Sequence, residues 1–186
     1  MISSIFDEDS FKILSYFSIS PGSKFKRKEL KEVTKLNNVP LDNALAKILN
    51  SNILKKEKLM YSVNFENENA RQIIDILRKQ YYDLKGIPYE VYLMVTDFVE
   101  EISLKKDVTT YIFGDYSKLV YTDKSVIDIA YISEFNDEKD IQRIINKIES
   151  KTQKKIKVSF FQKEIFRENK DDPVIQDIKR NGTKIS

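Results

Sequence analysis

The sequence contains neither cysteine nor histidine. Their absence excludes disulfide frameworks, thiolate or imidazole zinc sites, Cys/His nucleophile pairs and Ser-His-Asp triads. Any metal is confined to a hard cation on carboxylates, and acid–base chemistry falls to Asp, Glu, Lys or Tyr. Long hydrophobic runs are missing as well. The longest are only a few residues, too short to form a membrane-crossing helix. The acidic start (Asp7, Glu8, Asp9) is unlike a signal peptide. The expectation is a soluble, cytoplasmic protein with no membrane partner. A chain of 186 residues, 41% of them apolar, has enough material for one large or two small cores.

Net charge is also small, at +3, but it is divided along the chain. Residues 1–66 carry 11 basic and 8 acidic side chains, residues 67–103 carry 4 and 7, and residues 104–186 carry 17 and 14. Residues 24–58 alone hold 10 basic against 4 acidic groups. A compact basic patch beside an acidic middle is the electrostatic footprint of a surface that meets phosphate. A solvated lysine-rich face is the alternative.

The first block predicts three helices and a hairpin. Phe11, Ile13, Leu14 and Phe17 make an apolar stripe over 7–19, closed by Pro21-Gly22. A short strand over 24–26 and a helix over 27–35 follow, with Leu30 and Val33 inward and Lys28, Lys31 and Lys35 outward. After the turn Asn37-Asn38-Val39, Pro40 is expected at the first position of a third helix, where its missing N–H does no harm. Leu41, Leu45, Ile48 and Leu49 point inward from it, leaving Asp42, Asn43, Ala46, Lys47 and Asn50 outside. Two β-runs, 53–57 and 59–65, close tightly around Lys58.

Helix, helix, turn, helix and basic hairpin is the order of a winged helix-turn-helix domain. The stretch Asn43–Leu54 (NALAKILNSNIL) resembles the recognition helix and first wing strand of archaeal and bacterial winged-helix regulators. The resemblance implies that Asn43 and Asn50 read adenine edges and that Lys47 meets guanine or phosphate. Lys55, Lys56 and Lys58 would reach flanking phosphates of double-stranded DNA. The exposed helix face carries an Asp and no arginine, so a domain serving only protein–protein contact is the alternative.

Residues 67–84 carry Ile73, Leu77, Tyr81 and Leu84 at helical spacing, and Gly86-Ile87-Pro88 marks a break. A second amphipathic helix spans 88–103. These stripes are read as packing seams, with a homodimer as the corresponding expectation. From Val108 the pattern alternates: β-runs at 108–113, 125–132 and 155–161, a helix over 141–148, short helices at 162–168 and 173–181, and a last extended 183–185. This is an α/β sheet domain.

Within it, Tyr111–Tyr131 (YIFGDYSKLVYTDKSVIDIAY) resembles the minimal nucleotidyltransferase domain of the DNA polymerase β superfamily. The tail Asp171–Ile185 (DDPVIQDIKRNGTKI) is similar to that family's closing helix and strand. The family places Gly-Ser at the end of a strand to hold a triphosphate. An Asp-x-Asp strand and a third carboxylate on a later strand hold two Mg²⁺ ions. Carried over residue by residue, Gly114 is kept while Asp115 replaces the serine. Val126 replaces the first catalytic Asp, Asp128 matches the second, and Ser159 falls where the third is expected. Asp115 reads as a helix N-cap that closes the pocket to anions. Asp123 and Asp107 are the substitutes considered for the missing ligands. Asp128 is then vestigial, and Gly114 and Asp115 are the positions at which the resemblance would place a nucleotide.

The fold class expected is α+β. It comprises a winged helix-turn-helix over 1–66, a linking helix over 67–87 and a small nucleotidyltransferase-like sheet domain over 88–186. The function expected is that of a DNA-binding, transcription-regulating protein with no catalytic residue, no metal site and no cofactor. Its degenerate domain would serve dimerisation, docking or ligand sensing. Two alternatives stand beside it: a Mg²⁺-dependent nucleotidyltransferase using Asp128, and an antitoxin-like module that pairs with a helical protein partner.

Overall fold

The computed structural model describes residues 6–135, 137–169 and 171–186. It is a mixed α+β chain with two small sheets, and it divides into two compact units between Asp83 and Leu84.

In the first unit, α1 spans Glu8–Ile19. Asp7 caps it, accepting from the Ser10 amide at 3.0 Å and the Ser10 hydroxyl at 2.8 Å. These bonds satisfy an amide that the helix itself leaves open. Phe11, Ile13, Leu14 and Phe17 are buried as their spacing predicts. The strand β1 (Phe25–Lys26) leads directly into α2 (Arg27–Thr34), whose start is tied by the Glu29 carboxylate accepting from the Lys26 amide. Leu30 is buried as expected, but Thr34 rather than Val33 fills the second inward position. Thr34 lies one turn beyond Leu30, and its hydroxyl donates to the Leu30 carbonyl at 2.6 Å, so its polar atom is satisfied inside.

The next helix, α3 (Asn38–Asn50), begins two residues earlier than expected, which puts Pro40 at its third position rather than its first. The shift costs nothing, because no amide of the first turn has an intrahelical acceptor. Leu41, Ala44, Leu45 and Ile48 are buried, and Asp42, Asn43, Ala46, Lys47 and Asn50 are exposed. The hairpin is β2 (Leu54–Glu57) and β3 (Met60–Val63), paired antiparallel with Lys56 opposite Tyr61. β1 joins the other edge of β3 to give a three-stranded sheet. At the two-residue tip, Lys58 takes the left-handed φ of 57°.

The stretch read as a linking helix, 67–87, is built into this first unit as α4 (Glu68–Asp83), which packs on α1. Its buried row is Ala70, Ile74, Leu77 and Tyr81, with Ile74 rather than Ile73 in the core. Steps of four residues drift about 40° each around a helix of 3.6 residues per turn, so the expected row 73–77–81 slides off the face. Alternating steps of four and three stay on it.

The second unit opens with α5 (Tyr89–Ile102), capped by Pro88 and packed on α7 (Glu138–Glu149). Its sheet has the order β6-β5-β4-β7. The strands are β4 (Thr109–Phe113), β5 (Ile127–Ser133), β6 (Ile156–Gln162) and β7 (Thr183–Lys184). β5 and β6 are parallel, joined through α7 as a parallel pair requires, and the other pairs are antiparallel. Three short helices complete the unit: α6 (Gly114–Lys118), α8 (Lys163–Glu168) and α9 (Pro173–Asn181). Pleating puts Ile127, Ile129 and Tyr131 on one face of β5 and Asp128, Ala130 and Ile132 on the other. The second face packs with Phe113 and Ile178, flanked by Tyr111, Phe161 and Phe166.

The return from α9 to β7 depends on Gly182, where a Cβ would fall 2.4 Å from the Ile178 carbonyl oxygen. β7 then closes on β4 through the Ile185 amide donating to the Thr110 carbonyl at 2.9 Å. Among the described residues, no helix is long and apolar enough to cross a membrane.

Candidate functional sites

The first site is the exposed side of α3 and the neighbouring hairpin. Asn43, Lys47 and Asn50 all stand exposed on α3, at the i, i+4 and i+7 spacing that shares one face. Asn43 and Asn50 make no side-chain hydrogen bond among the described residues, so both carboxamides face solvent with open donors and acceptors. Lys47 lies 3.4 Å from the Asp7 carboxylate, a pairing that ties this face to the cap of α1.

Sequence reading misses the residue that conditions this surface. Arg27, at the start of α2, forks onto Asp42, with Nε donating to Oδ1 at 2.6 Å and Nη2 to Oδ2 at 2.9 Å. Nη2 also lies 3.3 Å from the Asn38 side-chain oxygen. The hydrogen bonding from Arg27 holds the Asp42 carboxyl below the usual aspartate range. The acid that counts against DNA binding is therefore neutralised where it stands. A separation of 15 residues across a turn carries no periodic signal, so only the fold brings the pair together.

The three hairpin lysines differ. Lys55 is paired with Glu57 at 3.4 Å and Glu66 at 4.0 Å. Lys56 lies over the Tyr61 ring, 5.2 Å from its centroid. Lys58 stands exposed at the tip with no ion pair among the described residues. Exposed pairs such as that of Lys55 are worth little and exchange readily for a phosphate.

The second site is the edge of the larger sheet where β4 ends and β5 begins. Gly114 turns the chain from β4 into α6 with φ at +68°. Phe113 pairs with Asp128, which brings the Asp128 carboxylate against that turn. A Cβ on Gly114 would sit 2.7 Å from Asp128 Oδ2. Among the described residues the Asp128 carboxylate has no hydrogen-bond or ion-pair partner. Burial pushes its carboxyl above the ordinary aspartate range, Lys157 opposes, and Asp115 adds to the rise.

Asp115 is not the N-cap expected. The helix starts one residue earlier, at Gly114, and Asp115 falls inside its first turn. Its Oδ2 accepts from the Ser125 hydroxyl at 2.6 Å, pinning the loop that leads into β5. Val126 lies just before β5, two residues from Asp128 and 37% exposed. Ser159 is opposite Ala130, two pairs further along. The residue beside Asp128 on β6 is Lys157. The structure thus brings Gly114, Asp115, Ser125, Asp128 and Lys157 together, with Ser159 on the same sheet face two residues beyond Lys157. Asp107 precedes β4, away from Gly114, and pairs with Lys163 at 3.7 Å. Asp123 lies in the 119–126 loop, its carbonyl accepting from Lys154 at 2.8 Å. Among the described residues, neither joins Asp128 in a group of three or more acids that could hold a metal ion. Lys85 and Lys118 hold α6 in place, Lys85 donating to the Ser117 carbonyl at 2.8 Å and Lys118 pairing with Asp177 at 2.8 Å.

No protein-family model matches the chain, and no curated protein matches its sequence.

Proposed function

We propose that the chain is a DNA-binding regulator with a winged-helix head. Its second unit is a nucleotidyltransferase-like domain that has lost catalysis and serves docking, dimerisation or ligand sensing. One observation carries the reading. The face of α3 that a helix-turn-helix would present to the major groove carries unpartnered Asn43 and Asn50, with its one acid clamped by Arg27. A two-residue hairpin tip bearing Lys58 lies in the same unit. The Gly114–Asp128 arrangement supports the second half. A phosphate entering there meets the carboxylates of Asp115 and Asp128, with Lys157 beside Asp128 as the opposing charge, and by the resemblance Val126 takes the place of a metal ligand.

Fluorescence anisotropy with duplex DNA across a salt series tests the head. The expected result is binding that weakens linearly in log K against log salt. The slope is expected to become shallower by roughly 0.9 for each phosphate that a variant no longer neutralises. Lys58→Glu and Lys55→Glu are both expected to weaken binding, because the exposed Glu57 and Glu66 pairs of Lys55 give way to a phosphate. Failure to bind any duplex at low salt refutes the proposal. Transfer from a labelled nucleoside triphosphate with Mg²⁺, abolished by Asp128→Ala, overturns the non-catalytic half.

A further inference from the structure

Val39, Asn43, Ala46 and Asn50 follow one another at steps of four, three and four residues, so they form a single row along α3. All four are exposed, Val39 to 69%. The row alternates small aliphatic groups with carboxamides and contains neither arginine nor lysine. Its charged neighbours flank the row: Asp42 is held in the Arg27 fork at 2.6 and 2.9 Å, and Lys47, beside the row, lies 3.4 Å from Asp7 in an exposed pair. In the major groove a carboxamide pairs bidentately with adenine, and an aliphatic side chain packs on the thymine methyl. Guanine is read best by arginine or lysine. The row therefore offers a partner for each half of an A·T pair and none of its own for guanine.

Val39 sits in the first turn of α3, the end that reaches base edges when a helix-turn-helix docks. Nothing in the core holds it there. A second isolated aliphatic group agrees with the row. Leu59, 73% exposed, stands at the hairpin tip beside Lys58. An apolar tip flanked by a cation suits the minor groove, whose donor pattern separates only A·T from G·C.

We infer, resting on the DNA-binding reading above, that the ligand of this face is A·T-rich duplex DNA. Val39 packs against a thymine methyl, and Asn43 and Asn50 pair with adenine. Selection from a random duplex pool at fixed salt comes first, followed by replacement of thymine with uracil in the recovered duplex. Uracil lacks only the methyl. The wild-type protein is expected to lose about fourfold in affinity for each methyl it touches, the scale of burying one such group. Val39→Ala is expected to lose a similar factor on the thymine duplex and almost nothing further on the uracil one. Because Val39 is exposed, circular dichroism should show an unchanged fold. Recovery of G·C-rich sequences overturns the inference while leaving DNA binding intact. So does wild-type indifference to uracil, or a Val39→Ala protein that keeps full uracil sensitivity. Binding to no duplex of any composition overturns the DNA-binding reading itself.

Discussion

Replacing Gly114 with alanine probes the one turn on which the sheet-edge site is built. The backbone there has φ at +68°, a conformation that costs an L residue about 1–2 kcal/mol. The added Cβ also meets Asp128 Oδ2 at 2.7 Å. The carboxylate is a terminal group without a partner among the described residues, so it yields before the strand does, and an off-rotamer side chain costs about 1 kcal/mol. Gly114→Ala is therefore expected to destabilise the second unit by about 2–3 kcal/mol, a fall in Tm on the order of 10 °C for a unit of this size. In the Asp128→Ala background the contact disappears and only the backbone cost remains, leaving a coupling of about 1 kcal/mol between the two positions. Urea unfolding gives the energies, and hydrogen exchange along the β4–β5 ladder reports the second unit separately from the first. Equal cost in both backgrounds would rule out the contact. No cost in either would refute the left-handed turn. The series carries a pH signature too. Burial raises the folded-state carboxyl of Asp128 above its ordinary value of 3.8, so the folded state binds the proton more readily. Stability from this group is then full below pH 3.8 and is lost as pH rises through the folded value. Asp128→Asn removes that slope and is neutral or stabilising at pH 7.

Arg27→Ala is expected to weaken duplex binding by roughly tenfold, because it frees the Asp42 charge on the α3 face. The double variant with Asp42→Ala recovers most of the loss in anisotropy titrations, and no recovery would exclude the clamp. Tyr131→Phe removes a hydroxyl that donates to Asp137 Oδ2 at 2.7 Å, and is expected to cost about 1–2 kcal/mol at neutral pH. The Tyr131 hydrogen bond, followed by Lys105, holds the Asp137 carboxyl below its ordinary 3.8. Its stabilisation is present above that value and lost as pH falls through the folded one. Melting curves across pH should show a shallower acid limb for Tyr131→Phe, and an unchanged limb would refute the assignment.

The two-unit layout is legible because the longer helices show apolar stripes and the break between the units carries Gly86 and Pro88. Phe11 to Phe17, Leu41 to Ile48 and Gly86-Ile87-Pro88 are local signals, and local periodicity is what a sequence displays. Expectation and structure part where geometry is set by rotation or by the first turn. The letters favour Ile73 over Ile74 because repeated steps of four look regular in a row but not around a helix. The start of α3 is hard to place because Pro40 is compatible with several first-turn positions. The role of α4 in the first unit is hidden too, since its stripe does not say which helix it covers.

At the sites, identity is legible and partnership is not. Asn43, Lys47 and Asn50 fall on one exposed face from spacing alone, but the Arg27–Asp42 fork and the Lys55 pairings join residues by folding. The same distinction changes how Gly114 is understood. A glycine at a strand end followed by a carboxylate strand invites a phosphate explanation, since a bare backbone lets an anion approach its amides. Here the space beside Gly114 is filled from within, by Asp128 at 2.7 Å from the missing Cβ, and Asp115 is bound to Ser125 at 2.6 Å. Each residue that suggests a phosphate site has a local packing or bonding reason to be what it is. A glycine that only served an anion would tolerate alanine equally well with or without the neighbouring acid, apart from its left-handed φ. A glycine held by Asp128 must show the coupling between positions 114 and 128, and this makes the double variant decisive between the two explanations.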